Sequence, residues 1–99
     1  MSFVTAQPEI LTAAAGSLSG IGDAMTTGIV AAAAPTTGVV APASDIVSAM
    51  TAAQFSAHAQ LFQQASAQAA AVHQQIVATL GSNANAYAFT EAVNATSAG

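Results

Sequence analysis

One short cluster of helix-breaking residues divides this chain into two long stretches. Pro35, Gly38 and Pro42 lie within eight residues of one another, and a helix cannot continue through them because proline lacks an amide hydrogen and its ring clashes with the preceding turn. The remaining proline, Pro8, suits the first turn of a helix. The chain is therefore predicted to form two long helices joined by a loop at about 34–43.

The first stretch carries large apolar residues at helical spacing. It predicts a helix from about residue 8 to 33, with Glu9 favourable at the positive end of the helix dipole. The predicted apolar seam of this helix consists of Leu11, Leu18, Ile21, Met25 and Ile29. A second stripe holds only small residues, including Gly16 and Gly20. That stripe either admits another backbone at close range or is a solvated alanine face.

The second stretch predicts a longer helix with two apolar stripes. Ser44 is the expected N-cap and Asp45 lies in the first turn, so the helix runs from about residue 44 to 80 and ends at Gly81. Its seam and partner face are assigned to Phe55, Leu61, Phe62, Val72 and Ile76. Because two antiparallel helices can cover only one stripe on each, this all-α hairpin is expected to complete a four-helix bundle with another chain. The alternative is a homodimer with the phenylalanines turned inward.

The composition limits what such a chain can do. It has no lysine, arginine or cysteine, and more than a quarter of its residues are alanine. Without cations it cannot neutralise phosphate, so nucleic-acid binding is not expected. Soluble domains carry about a quarter charged residues. A surface this poor in charge, around a thin alanine-rich core, is expected to be covered by a partner or a membrane.

No set of residues suits catalysis. His58 and His73 are fifteen residues apart, which separates them by about 22 Å on a helix, too far to share a metal. Each histidine is expected to be a partly buried polar residue. The four acids are scattered singly, at Glu9, Asp23, Asp45 and Glu91. We therefore predict a protein that is not an enzyme and that uses no catalytic residue, metal, cofactor or small-molecule substrate.

A membrane span is also disfavoured. The uncharged stretch 24–44 has the length of a span, but Pro35 and Pro42 interrupt it. The N-terminus has no basic segment, so a general secretory signal peptide is not expected. A membrane-active or self-assembling helical module stays open as an alternative, although surface-active helices usually carry the Lys and Arg that are absent here.

The N-terminal motif and the proline-rich break resemble those of a known family. Residues 1–4 (MSFV), the pair Pro8-Glu9, the alanine-rich helix, and the segments 34–37 (APTT) and 41–45 (APASD) are similar to the PE family of mycobacteria. That family is named for its Pro-Glu pair. The resemblance covers 1–99 as a single PE domain without a glycine-rich extension, as in the short, PE-only members.

The resemblance implies a partner and a route of export. PE proteins pair one to one with a PPE protein, and two helices from each make a four-helix bundle. A cytosolic EspG-type chaperone commonly binds the PPE subunit, and the pair is exported by type VII (ESX) secretion machinery. The resemblance thus implies a secreted or cell-envelope protein, assembled first in the cytoplasm, with its uncovered helix 2 face as the PPE interface.

The predicted tail, 81–99, is either a frayed continuation of helix 2 or a flexible end. It contains a further match to the family. The family's export signal is a tyrosine followed four residues later by an acid, just after the second helix, and Tyr87 and Glu91 match it. Because residues four apart share one face of a helix, the pair would present a ring and a carboxylate together to a receptor of the secretion system.

Overall fold

The computed structural model describes residues 5–99 and is all-helical in that range. Helix α1 spans Pro8–Thr37 and helix α2 spans Ile46–Ala98, and no strand occurs among the described residues. The predicted all-α class and helical hairpin are confirmed. The four-residue MSFV match, at 1–4, lies outside the described residues.

The contacts between backbones divide the chain into two compact units. One unit combines Met1–Gly22 with His73–Gly99, and the other is the continuous segment Asp23–Val72. Each unit therefore pairs a part of α1 with a part of α2. Each brings residues distant in sequence into contact across the two helices.

Helix α1 begins at Pro8 as predicted but ends later than predicted, at Thr37 instead of about residue 33. Pro35 lies in the last turn, where its missing amide removes a single backbone hydrogen bond. The end of the helix is closed by other donors: the Thr37 hydroxyl donates to the Ala33 carbonyl at 2.6 Å, and the Gly38 amide donates to the Ala34 carbonyl at 3.0 Å. The break is therefore set by Gly38 and the residues after it.

The residue that caps the start of α2 differs from the predicted one. The capping residue is Asp45, not Ser44, because the Ser48 amide donates to Asp45 Oδ2 at 2.9 Å. The Ser48 hydroxyl also donates to Asp45 Oδ1, at 2.8 Å. A carboxylate just before the first turn accepts an otherwise unpaired amide and lies at the positive end of the helix dipole.

The predicted end of α2 at Gly81 was wrong, since the helix continues to Ala98. Gly81 has no left-handed backbone conformation, so it does not act as a C-cap. One glycine inside a helix costs about 1 kcal/mol relative to alanine. Ala84, three residues further on, is only 1% exposed. Burial of Ala84 and a following segment without proline outweigh that cost, so the predicted tail 81–99 is helical almost throughout.

The line of α2 that packs on α1 is made mainly of small and polar residues. Its least exposed positions alternate four and three residues apart, which is the spacing of a packed helix pair. We call this line the inner seam: Ala52, Ser56, Ala59, Gln63, Ser66, Ala70, His73, Val77, Leu80 and Ala84. The buried residues of the described chain are all alanines, namely Ala15, Ala52, Ala59 and Ala84. No large side chain is fully buried within 5–99.

Two polar side chains of the inner seam reach carbonyl groups of α1. Gln63 Nε2 donates to the Ile29 carbonyl at 3.1 Å, within the central unit. In the other unit, His73 Nε2 lies 2.6 Å from the Leu18 carbonyl, so this nitrogen carries the proton and donates. The His73 ring also occupies the space beside Gly22, where an added Cβ would meet it at 2.7 Å. Such directional contacts fix the register of a helix pair that has few large side chains.

Candidate functional site

The predicted apolar seam of α1 is only partly an inner surface. Leu11, Leu18 and Ile29 are half-buried, whereas Ile21 is 54% exposed and Met25 is 59% exposed. The line of contact runs instead through smaller residues of α1 such as Ala15. Some large side chains of this helix therefore contact α2, whereas others face outward.

The predicted seam residues of α2 all lie outside the inner seam. Phe55, Leu61, Phe62, Val72 and Ile76 are between 51% and 64% exposed. The structure corrects the part of the prediction that placed them between the two helices, and leaves the part that assigned them to a partner as a prediction. The signal for the inner seam was the four-and-three spacing of alanine, serine and glutamine, which a search for large apolar residues passes over.

These exposed residues lie toward one side of helix α2, and we call them the apolar face: Phe55, Leu61, Phe62, Val72 and Ile76. Phe55, Phe62 and Ile76 recur at multiples of seven residues, and Val72 and Leu61 lie beside them, so that the set covers an arc of about 100° of the helix. The opposite flank of the inner seam carries mainly alanine and glutamine, for example Gln60, Gln64, Ala67 and Gln74. Between residues 55 and 76 the large side chains are thus concentrated on one flank. Ile46 and Met50, in the first turns of α2, are exposed on the opposite flank.

The large side chains of the apolar face are each more than half exposed. Exposed apolar side chains grouped in this way mark a site of association.

Tyr87 and Glu91 lie on the last part of α2, where every residue from 85 to 99 is exposed. Tyr87 is 51% exposed. Leu80, Ala84, Tyr87 and Glu91 continue the alternation of three and four residues, so the pair lies on the prolongation of the inner seam. The two side chains share one helix face as predicted from their spacing, and this face lies beyond the last buried position, Ala84.

The two histidines differ in their surroundings. His73 is half-buried in the inner seam, as predicted, but His58 is exposed. The part of the chain that the structure describes contains no group of three or more His, Cys, Asp or Glu side chains placed to hold a metal ion. None of its helices combines the length and apolar character required for crossing a bilayer.

One carboxylate has a perturbed titration. Hydrogen bonds from the Ser48 amide and hydroxyl hold the pKa of Asp45 below its ordinary value, since they stabilise the charged form. This is the N-cap of α2 described above. The shift is explained by helix capping and does not point to acid–base chemistry.

Comparison with known proteins assigns the chain to a family. The family model of the PE family matches residues 4–94. The chain is 59% identical to the PE family protein PE13 of Mycobacterium tuberculosis over 98 residues, covering 99% of each chain. It is 49% identical to PE8 of the same species, covering 99% of this chain and 36% of PE8. It is 50% identical to PE_PGRS34 of Mycobacterium tuberculosis over 95 residues. That alignment covers 96% of this chain and 18% of PE_PGRS34. The match over nearly the whole chain shows that the protein belongs to the PE family.

Proposed function

We propose that this chain is the non-enzymatic PE subunit of a one-to-one heterodimer with a PPE protein. Helices of the PPE partner cover the apolar face of α2 and complete a four-helix bundle. One observation carries this proposal: most large side chains of α2 are exposed, whereas its inner seam consists mainly of alanine, serine and glutamine. Membership of the PE family supports the class of the partner.

The energetics of the isolated hairpin favour association. Hydrophobic burial contributes about 25 cal/mol per Å², and the buried residues of the described chain are four alanines. The contact between α1 and α2 is therefore weak compared with what covering the apolar face would add. The partner thus supplies the core that the hairpin lacks.

The charge of the chain restricts its contacts with the partner. The chain has four acids and no lysine or arginine, so each ion pair across the interface must join one of these acids to a cation of the partner. Helix α2 has no acid between its cap, Asp45, and Glu91. The central contact is therefore apolar, and charged contacts are confined to the ends of α2 and to α1.

The second part of the proposal concerns export. Tyr87 and Glu91 form a signal that the ESX secretion machinery recognises on the assembled heterodimer, and the protein is then secreted or held at the cell envelope. Their exposure on the last part of α2 leaves both side chains accessible to a receptor. An EspG-type chaperone binds the pair in the cytoplasm through the PPE subunit.

Co-expression with candidate PPE proteins tests the interface. A single one-to-one peak in size-exclusion chromatography with light scattering is expected, together with poor recovery of this chain when it is expressed alone. A stable monomer or homo-oligomer that ignores the PPE protein would refute the proposal and favour self-assembly.

A further inference from the structure

His73 contacts α1 in two ways at once. Its Nε2 atom donates to the Leu18 carbonyl at 2.6 Å, and its ring fills the space beside Gly22. An added Cβ at position 22 would lie 2.7 Å from the ring, so the ring would have to move away from that carbonyl. The hydrogen bond of His73 therefore depends on a glycine at this position of α1.

The line of α1 that faces α2 offers this space only at Gly22. The seven-residue repeat places Ala15 and Ile29 on the same line, and each of them has a Cβ where the ring would lie. Three further glycines of α1 meet no described atom within 4 Å of an added Cβ, so they do not face α2: Gly16, Gly20 and Gly28. The ring of His73 thus fits α1 in one register.

The other contacts of the inner seam select a register less sharply. Small residues recur on it at seven-residue intervals, as at Ala52 and Ala59, so α1 would meet side chains of similar size after sliding by one repeat, about 10 Å. Gln63 donates to the Ile29 carbonyl, but every residue of α1 has such a carbonyl. The loop at 38–45 spans up to about 26 Å when extended, so its length permits the slide.

The register decides where α1 begins beside α2. Helix α1 begins ten residues before Leu18, at Pro8. In an antiparallel pair this start lies beside the residue ten positions after His73. That residue is next to Ala84, the last buried position of α2, in agreement with this alignment.

The Tyr87–Glu91 pair begins just beyond that point. Tyr87 and Glu91 lie about 6 and 12 Å further along α2, on the prolongation of the inner seam, and α1 leaves both exposed. If α1 slid by one repeat toward the end of α2, its start would lie beside position 90 and its first turn would cover Tyr87.

We propose that His73, seated against Gly22, is a positioning residue for export, because it holds α1 in the register that leaves the Tyr87–Glu91 pair uncovered. This inference rests on the function proposed above, since it takes that pair as the export signal. His73 acts through the position of α1 and needs no contact of its own with the secretion machinery.

Moving the glycine by one repeat tests the proposal. Gly22→Ala/Ile29→Gly offers the space for the His73 ring seven residues later on α1, which favours the slide that covers the signal. Spin labels on Gln7→Cys and Ser97→Cys, two exposed positions of a chain without cysteine, report the register of the purified heterodimer as a distance. We expect the labels to be about 10 Å closer along the helix axis than with the native glycine. Export of the unlabelled variant, measured as the ratio of secreted to cell-retained heterodimer, should be strongly reduced.

Ala15→Gly/Gly22→Ala is the matched control, because it moves the glycine by the same distance in the opposite direction. Its labels should lie about 10 Å further apart, while the signal stays uncovered and export continues. This variant only exchanges alanine and glycine, so it tests the register even if the loss of Ile29 prevents assembly.

An unchanged label distance in either assembled variant, or equal export of both, would overturn the proposal. Failure of both to assemble while the wild type does would also count against it, since the chain would then have one register whatever lies opposite His73. Label distances that shift as expected, together with normal export of Tyr87→Ala, would instead refute the export signal and leave the register role of His73 standing.

Discussion

In a protein that is stable alone, large apolar side chains lie inside and small or polar ones lie outside. The inner seam and the apolar face of α2 show the reverse arrangement. The inner seam brings mainly alanine, serine and glutamine against α1, together with His73, Val77 and Leu80. The apolar face turns phenylalanine, leucine, valine and isoleucine outward. Small residues allow two backbones to approach closely but bury little apolar area, so they define a geometry more than they stabilise it. The difference indicates that contacts between α1 and α2 determine the geometry of the hairpin. Burial of the apolar face by a partner would supply most of its stability.

The largest effect is expected from a charge on the apolar face. Phe62→Asp would bury an unpaired carboxylate against the PPE partner, and such a charge costs several kcal/mol. We expect at least a hundredfold loss of heterodimer, measured as the fraction of PPE protein recovered with this chain after co-expression. Gln64→Asp, which places the same charge on the opposite flank, should leave recovery near the wild-type level. Equal recovery from both variants would remove the apolar face as the interface.

A second prediction separates assembly from export. Tyr87→Ala or Glu91→Ala should leave the heterodimer intact, because both residues lie beyond the last buried position of α2. Each variant should instead abolish or strongly reduce export, measured as the ratio of secreted to cell-retained heterodimer. Asn85→Ala, at an exposed position two residues before Tyr87, is the control. Normal export of both the Tyr87 and the Glu91 variants would show that the pair is not the signal.

The inner seam is tested by glycine substitutions of opposite expected sign. In Gly22→Ala the new Cβ would lie 2.7 Å from the His73 ring, so the ring must move and its hydrogen bond to Leu18 is lost. Overpacking of this kind costs about 1–3 kcal/mol, and the gain in helix propensity, about 1 kcal/mol, offsets part of that cost. Gly16→Ala adds a methyl group where nothing lies within 4 Å, and gains up to about 1 kcal/mol of helix propensity. Urea unfolding of the heterodimer should show destabilisation for Gly22→Ala alone; destabilisation by both would contradict the seam geometry.

The smallest expected effect concerns the cap of α2. Because the pKa of Asp45 is lowered in the folded chain, its contribution to stability is present above the ordinary pKa of an aspartate and is lost as the pH falls through the folded value. Asp45→Asn retains a capping side chain but cannot titrate. The melting temperature of the variant should therefore fall less steeply than that of wild type between pH 5 and pH 3. Parallel curves would show that the hydrogen bonds from Ser48 do not persist in solution.

The sequence predicted the existence of the helices better than it predicted their faces. Pro8 and the Pro35–Pro42 cluster locate the hairpin because proline acts through local backbone geometry. The inner seam was missed because the size of a side chain was taken as a measure of its burial, whereas close packing of two helices selects small residues such as Ala52 and Ala59. The end of α2 was missed because a local penalty at Gly81 was outweighed by a distant contact of Ala84, which no local pattern reveals.

The Tyr87–Glu91 pair could be located by its spacing but not placed on a surface. Four residues of separation predicted a shared helix face, which the structure confirms. Its alignment with the inner seam depends on the helix continuing through Gly81 without a change of phase. That continuation, and hence the direction in which the pair points, required the structure.

The most direct test of the account compares thiol accessibility on the two flanks of α2 in the purified heterodimer. The chain has no cysteine, so Phe62→Cys and Gln64→Cys each introduce a single reporter into it. A maleimide should modify the cysteine at position 64 rapidly and the one at position 62 at least tenfold more slowly. Unfolding the complex should abolish the difference. Equal rates in the folded heterodimer, or slower modification at position 64, would contradict the claim that the apolar face is covered by the partner.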